Sequence, residues 1–373
     1  MTTGNALGAL GDEKNPQTVF YRFGTIVPGT PTRQAERVRL REWDPGTAPE
    51  ADIQAWLRAY NRSLVVDLPD DPRWGEAKLR EYLSVTMPRE RRASWVVTDA
   101  DGELMGHASL LLLGGLGVFE LFVDPDSRRR GVGRRLLAAA VRRALDEGFS
   151  DIGVEVIGGT AAAMFYQRHG FHHAFTEMRS LLDLSAMDWL HLDEMAGGVV
   201  HGYHIEFHPG DLPDAVLPAY AEVKEVRRLD PPGDLSLRPS SYDSQRLRDS
   251  LRCLQARGLK PYIVFAVHEP TGRIAGLTEV VVPAQHPTRA DQYDTIVSPS
   301  HGGYGLGRAL KARMLLELRA AEPQLRDVQT WHATDNEQLQ GVNEELGFKP
   351  DREWREYEAD AAELAKLLRD IDL

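Results

Sequence analysis

Two stretches of the chain follow one plan 174 positions apart. Val123, Pro125, Gly131, Gly133 and Leu136 of LFVDPDSRRRGVGRRLLAAA match Val297, Pro299, Gly305, Gly307 and Leu310 of TIVSPSHGGYGLGRALKA, since 297 − 123 and 305 − 131 both equal 174. Further on, Gly170 of RHGF answers to Gly347 of ELGF at 347 − 170 = 177, an insertion of three residues. Matched positions at one offset, both glycines among them, mark two copies of one unit. A chain of 373 residues also exceeds the roughly 250 to 300 at which a single core stops growing. The expected division is a tail over residues 1–35, a first domain over 36–185, a linker over 186–200 that ends in a Gly-Gly break, and a second domain over 201–373.

Each copy reads as α/β. In the first, VRLREW is an expected strand, Ala51 to Ser63 and Trp74 to Val85 are expected helices, and Ser94 to Thr98 and Glu103 to Leu113 are expected strands. The strand ending at Val123 leads into a helix from Gly131 to Glu147, where Leu137, Val141 and Leu145 form the packing line and Arg134, Arg135, Arg142 and Arg143 lie off it. A strand at Asp151 to Ile157 and a short helix carrying FYQRHGF follow, an alternation that implies a sheet at least partly parallel.

The duplicated turn is built for an anion. A strand that ends in a Gly-rich turn opening a helix presents backbone N–H groups without helical partners at the positive end of the helix dipole. Gly131 and Gly133 let the main chain approach a ligand closely, and Arg128 to Arg130 add cationic donors; the alternative is a tight turn with solvated arginines. A Walker loop is excluded because no Gly-Lys pair occurs. A dinucleotide fingerprint lacks its third glycine, where Leu136 and Leu310 stand, although Asp151 and Glu155 sit near the place of a ribose-binding acid.

Composition narrows the class. Net charge is −12, from 56 acidic and 44 basic residues, which disfavours nucleic acid and mildly favours cationic small molecules. The longest apolar stretch, Ser109 to Val123, is broken by Gly114, Gly115 and Gly117 and falls short of the roughly 20 residues of a membrane helix. The first residues, MTTGNALGALGDEKNP, lack a basic start and an apolar block, and Cys253 is the only cysteine, so the expected setting is the cytoplasm without disulfides. His201, His204 and His208 fit no common zinc spacing, and only His204 and His208 were expected on one strand face, so no metal is expected. His172 and His173 read as surface residues and Cys253 as a packed thiol.

Arg128-x-x-Gly131-x-Gly133 after a strand, followed by a helix, a strand and FYQRHGF, resembles the acetyl-CoA-binding core of the GNAT superfamily of N-acetyltransferases. His301-Gly302-Gly303-Tyr304-Gly305-Leu306-Gly307 is similar, and TDNEQLQGVNEELGF resembles the Asn-containing helix that closes the pantetheine groove in many members. The tandem arrangement is similar to that of mycothiol synthases, from which only the architecture carries over. The resemblance implies two tandem GNAT-like α/β domains, each a mixed, largely antiparallel, splayed sheet flanked by helices.

It also implies functional positions. The CoA pyrophosphate would rest on Arg128, Arg129, Arg130, Gly131, Val132, Gly133 and Arg134, and on Gly302, Gly303, Tyr304, Gly305, Leu306, Gly307 and Arg308. The pantetheine would pair with the strands ending at Phe122 and Val123 and at Ile296 and Val297, with Asn336 and Asn343 beside it in the second copy. Glu120, and Asp294 in the equivalent place, would be bases that act directly or through water, or else are ordinary strand residues. Tyr166 would protonate the leaving thiolate. The second copy departs there, with Asn343 aligned to Tyr166, so that Tyr304 or Tyr293 would have to substitute. The expected activity is acetyl-CoA-dependent acetylation of a primary amine on a small, cationic molecule, with chemistry in the first domain and cofactor in both. Chemistry confined to the second domain, or a CoA-sensing scaffold without turnover, are the alternatives.

Overall fold

The structure, a computed structural model, describes residues 38–88, 90–113, 116–198, 201–229 and 242–371. The expected tail at 1–35 lies outside them. The first half of the chain runs β1 (Arg39–Glu42), α1 (Glu50–Asp67), α2 (Glu76–Ser84), β2 (Arg91–Thr98), β3 (Leu104–Leu113), β4 (Leu116–Val123), α3 (Val132–Asp146), β5 (Asp151–Ile157), α4 (Ala161–Arg168), β6 (His172–Asp183) and α5 (Trp189–Gly197). The second runs β7 (Tyr203–Pro209), α6 (Leu217–Leu229), α7 (Ser244–Ala256), β8 (Leu259–His268), β9 (Arg273–Pro283), β10 (Arg289–Val297), α8 (Leu306–Ala321), β11 (Asp327–Ala333), α9 (Glu337–Glu345), β12 (Lys349–Asp360) and α10 (Ala361–Leu367).

Two sequence expectations shift for local reasons. The helix expected from Trp74 starts at Glu76, because the Asn61 side chain takes both the N–H and the C=O of Trp74, each at 2.9 Å. On α3, Leu137 and Val141 are buried as expected, but Leu145 is 38% exposed and Ala144 is buried instead. Steps of four residues rotate by about 40° each, so Leu145 has turned about 80° from Leu137 while Ala144 stays within about 20°.

All the strands lie in one sheet, ordered β1-β2-β3-β4-β5-β12-β6-β11-β10-β9-β8-β7. Neighbours are antiparallel except β4 with β5 and β10 with β11, the two pairs bridged by the crossover helices α3 and α8. Each half has a core on either face of the sheet. Trp95 and Val97 of β2 pack with α3, while Val96 between them packs with α1 and α2. In β8, Tyr262, Val264 and Ala266 pack with α8, and Ile263, Phe265 and Val267 with α6 and α7. Burial on both faces explains why these strands are continuously apolar, each large side chain contributing about 1.5–3 kcal/mol.

The order holds an exchange. β12 comes from the end of the chain yet pairs with β5, Asp360 beside Asp151, while β6 pairs with β11, Asp183 beside Asp327. The arms are equivalent, since 349 − 172 = 177 and 360 − 183 = 177. The helices follow their strands: Ala361, Leu364 and Leu368 join the core around α3, whereas Leu192 and Ala196 of α5 join the core around α8. Both arms leave from a glycine in the left-handed region, Gly170 and Gly347, each with φ 89°. The expected linker at 186–200 therefore contains a helix, and the sheet runs unbroken across it.

Candidate active site

The duplicated turns have one backbone conformation. Gly131 (φ 81°) and Gly305 (φ 71°) cap α3 and α8 from the left-handed region, and two residues earlier Arg129 (φ 63°) and Gly303 (φ 81°) take it as well. Arg129 is the sole non-glycine with positive φ among the described residues, a conformation that costs about 1 kcal/mol. No side chain caps either helix, and the first helical bonds are Arg135 N–H to Gly131 O (3.2 Å) and Ala309 N–H to Gly305 O (3.1 Å). The N–H groups of Val132, Gly133 and Arg134, and of Leu306, Gly307 and Arg308, therefore have no helical acceptor and suit an anion.

The side chains around these turns divide. Arg129, Arg130 and Arg134 are exposed, but Arg128 is held by both carboxylate oxygens of Asp67 (3.0 and 2.6 Å) and by Val123 O (3.2 Å). It braces α1 against the turn. In the second turn Gly302 is exposed, Tyr304 is 46% exposed, and Arg308 reaches Glu345 at 3.3 Å.

Beyond the turns the strands part. β4 pairs with β5 only over Leu116–Val118 and Asp151–Gly153, so Phe119 to Val123 diverge from it. β10 pairs with β11 only over Arg289–Gln292 and Asp327–Thr330, leaving the rest as far as Ile296 and Val297 free on that side. β10 has a register shift between Gln292 and Thr295 against β9, whereas β4 and β3 stay in register. On the paired side Gly106 and Gly276 permit close approach, since a Cβ would lie 2.9 Å from Phe122 O and 2.8 Å from Ile296 O. Each splayed strand offers unpaired backbone groups to an extended ligand.

Glu120 faces away from α3 and is fully engaged. One oxygen accepts from Tyr82 of α2, and the other accepts from Arg92 (2.7 Å) and Ser109 (2.6 Å). Tyr82 is flanked by two guanidinium groups at 5.1 Å, Arg92 and, from the second half, Arg257. A row of carboxyls continues from Glu120: Glu155 and Glu356 are register partners. Desolvation and the charges of Glu177 and Glu120 push Glu155 up to about 7, although its side chain is exposed and water screens the effect, and burial with Glu155 and Glu177 pushes Glu356, which is half-buried, up to about 9. Phe122 joins a wall of aromatic rings with Trp56 (5.1 Å), Tyr60 (5.2 Å) and His107 (5.7 Å), the last pushed down to about 3 by burial.

Asp294 is matched differently. It accepts from Lys224 of α6 at 2.5 Å, and the same ammonium meets Glu279 at 2.8 Å, itself bonded by Tyr220. Burial works against the Lys224 charge, but the two carboxylates hold its pKa well above the usual lysine value. Tyr293 is 44% exposed, and its pKa is raised, by desolvation of its inner side and then by the charge of Asp291.

Tyr166 is 3% exposed on α4 among Phe119, Phe165 and Phe171, and its hydroxyl has no protein hydrogen bond among the described residues. Burial, then the Glu120 charge, raises its pKa, so it keeps its proton at neutral pH. Asn343, in the aligned place, is 2% exposed and accepts from Lys311 at 2.7 Å, with His332 at 3.5 Å on its other end. Asn336 caps α9, accepting from Leu339 N–H at 3.0 Å. Sequence reasoning missed Tyr82, Arg92, Lys224 and Lys311. Lys311 left a signal, a cation on an apolar helix line at the place of Leu137 (311 − 137 = 174).

The residues set aside earlier stay outside this arrangement. His172 and His173 are exposed, His204 and His208 flank Glu206 at 3.0 and 3.2 Å, and desolvation pushes the Cys253 thiol up, away from a nucleophile. Among the described residues no helix is long and apolar enough to cross a membrane.

Known proteins bear on this geometry. Residues 52–171 match the model of the acetyltransferase (GNAT) family. A mycothiol acetyltransferase of Actinosynnema mirum is 27% identical over 276 residues, 70% of this chain and 82% of that protein. Another, of Saccharomonospora viridis, is 29% identical over 165 residues, 39% of this chain and 50% of its own length. Among solved structures, a tandem GNAT protein from the clavulanic acid biosynthesis pathway superposes with a TM-score of 0.74 at 26% identity, over 87% of this chain and 99% of that one. A GCN5-related N-acetyltransferase from Sphaerobacter thermophilus shares the fold, with a TM-score of 0.61 at 16% identity over 87% and 96% of the two chains. With two uncapped turns, two splayed strand pairs and these relatives, the chain belongs to the GNAT acetyltransferases as a tandem pair of GNAT units, and is an acyltransferase.

Proposed function

We propose that the chain acetylates a primary amine of a small cationic molecule from acetyl-CoA, with the chemistry in the first half and cofactor bound in both. The observation that carries this reading is the contrast between Tyr166, whose ring is buried and whose hydroxyl has no protein partner among the described residues, and Asn343, whose amide is tied to Lys311. The residues present fit the cofactor: free N–H groups after Gly131 and Gly305 suit a pyrophosphate, and the unpaired edges of β4 and β10 suit the amides of pantetheine. When bound, the cofactor supplies the activated acetyl group.

The chain's own residues do the rest. Phe122 and Val123 hold the edge along which the donor lies, and the turn from Arg129 to Arg134 anchors its phosphates. Glu120, already holding three donors, draws the acceptor ammonium electrostatically and receives its proton through water. In the rest of the acidic row, Glu155 and Glu356 are pushed up to about 7 and about 9 by desolvation and by crowding with Glu177, so an arriving cation is favoured over a neutral amine because it lets them ionise. Tyr166 gives its proton to the sulfur as the amide C–N bond forms and the thioester C–S bond breaks, and solvent restores it.

Thiol release across an amine panel tests this, and the panel should include mycothiol-related amines because two relatives are named mycothiol acetyltransferase. Tyr166→Phe is expected to lower kcat by about 10²- to 10⁴-fold with acetyl-CoA affinity unchanged. Full turnover in that variant, with loss in Asp294→Asn, would move the chemistry to the second half, a reading favoured by the register shift of β10 beside Asp294.

A further inference from the structure

Beneath α9 lies a cavity of about 110 Å³, lined among others by Ser180, His332, Thr334 and Asn343, with Met178 and Phe348 as apolar walls. Ser180 and Asn343 are 2% exposed and His332 6%. Neither the Ser180 hydroxyl nor Nε2 of His332 has a protein partner among the described residues. Both atoms are open to the cavity, and there they face one space.

Lys311 sets the polarity of that space. It is 1% exposed, donates to Asn343 Oδ1 at 2.7 Å and lies 5.0 Å from the Phe348 ring centre. A lysine Nζ in this contact donates, so the amide turns its NH₂ toward Nδ1 of His332, 3.5 Å away. That leaves the His332 ring proton on Nε2. No carboxylate pairs with Lys311 among the described residues, so the ammonium is buried without a counter-charge. The first half has none of this: Leu137, Val156 and Tyr166 stand at the places of Lys311, His332 and Asn343.

We propose that this cavity binds a small carboxylate of acetate size, bonded by the Ser180 hydroxyl and the His332 ring N–H and attracted by the Lys311 ammonium behind Asn343. The volume equals the share of about three or four waters, too little for a sugar or nucleotide. Glu344 also lines the cavity, exposed and held by Gln340 at 2.8 Å, and its charge keeps the affinity modest. A ligand of so few atoms binds no tighter than tens of micromolar, and the expected Kd is on the order of a millimolar.

The test uses the full chain without acetyl-CoA at pH 6, where Lys311, pushed down to about 7 by burial, keeps its proton, titrated with sodium acetate against sodium chloride at equal ionic strength. Saturation-transfer NMR on the acetate methyl group and thermal melting report occupancy. Saturable binding by the unmodified chain is expected, weakened at least tenfold in Lys311→Met and lost in Ser180→Val, which removes the hydroxyl donor and narrows the cavity. Failure of Ser180→Val to fold leaves Lys311→Met to decide, since removing a buried charge favours folding. A cavity that holds water alone gives only the chloride response; that result, or saturable binding retained in Lys311→Met, overturns the proposal. Neither outcome depends on which half performs acetyl transfer.

Discussion

Lys311→Leu gives α8 the residue that α3 carries at the equivalent position, Leu137, and its effect on stability can be worked from the structure. Burial pushes Lys311 down to about 7 from an ordinary 10.5. Between those values the unfolded chain binds a proton that the folded chain does not, so this group makes stability rise with pH from about 7 to about 10.5. At about 1.4 kcal/mol per tenfold step, the amine opposes folding by about 4 kcal/mol at pH 7 and by about 1 kcal/mol at pH 10. Leucine removes that opposition but orphans Asn343 Oδ1, which costs about 1–3 kcal/mol. The variant is therefore expected to be about 2 kcal/mol more stable at pH 7, a rise of about 4 °C in Tm, and no more stable than the parent at pH 10. Melting both proteins in chloride buffers at pH 6, 7 and 10 cancels the titrating groups that do not feel Lys311; His332, pushed down by burial and by the Lys311 charge, adds to the gain of the variant only at the acidic end. A variant that melts lower at pH 6, or whose shift has one size and sign throughout, would refute the reasoning.

Other outcomes follow from contacts already described. Arg129→Gly, matching Gly303, should raise stability by up to about 1 kcal/mol in urea melts by relieving the left-handed arginine. Lys224→Met leaves Glu279 and Asp294 without their shared cation and should cost about 3–5 kcal/mol, measured the same way. Arg92→Ala removes one of the three donors that hold the Glu120 carboxylate in place, so kcat should fall by about tenfold or more, as initial rates of thiol release would show. Deleting residues 349–371 uncovers the edges of β5 and β6 and should yield aggregated protein by size-exclusion chromatography.

Local chemistry was legible where a few neighbouring residues decide it. The offset of 174 located both turns, and their backbone angles agree residue by residue, Arg129 with Gly303 and Gly131 with Gly305. Long-range pairing was not. His172–Asp183 and Lys349–Asp360 lie one repeat apart and each follows a Gly-Phe hinge, so either arm suits the edge of β5 by pattern alone. Ionic partners were hidden for the same reason: Asp67 lies 61 positions from Arg128, and Lys224 70 positions from Asp294. Asn343 was visible as a departure from Tyr166, but the lysine behind it shows only once α8 and α9 are packed together.

The exchanged arms also set a timetable for the chain's manufacture. A ribosome that has finished residues 38–198 has made α1 to α5 and β1 to β6, yet β5, with β4 on one side, still lacks its other neighbour in the folded protein, β12. That strand arrives 360 − 151 = 209 positions after Asp151, and until then the nascent first half can close only on its own β6. Such a closure is a decoy by sequence similarity, and leaving it requires opening a formed edge. Translation speed across the second half, a quantity absent from the folded molecule, thus bears on whether the two halves end up interlocked or each shut upon itself.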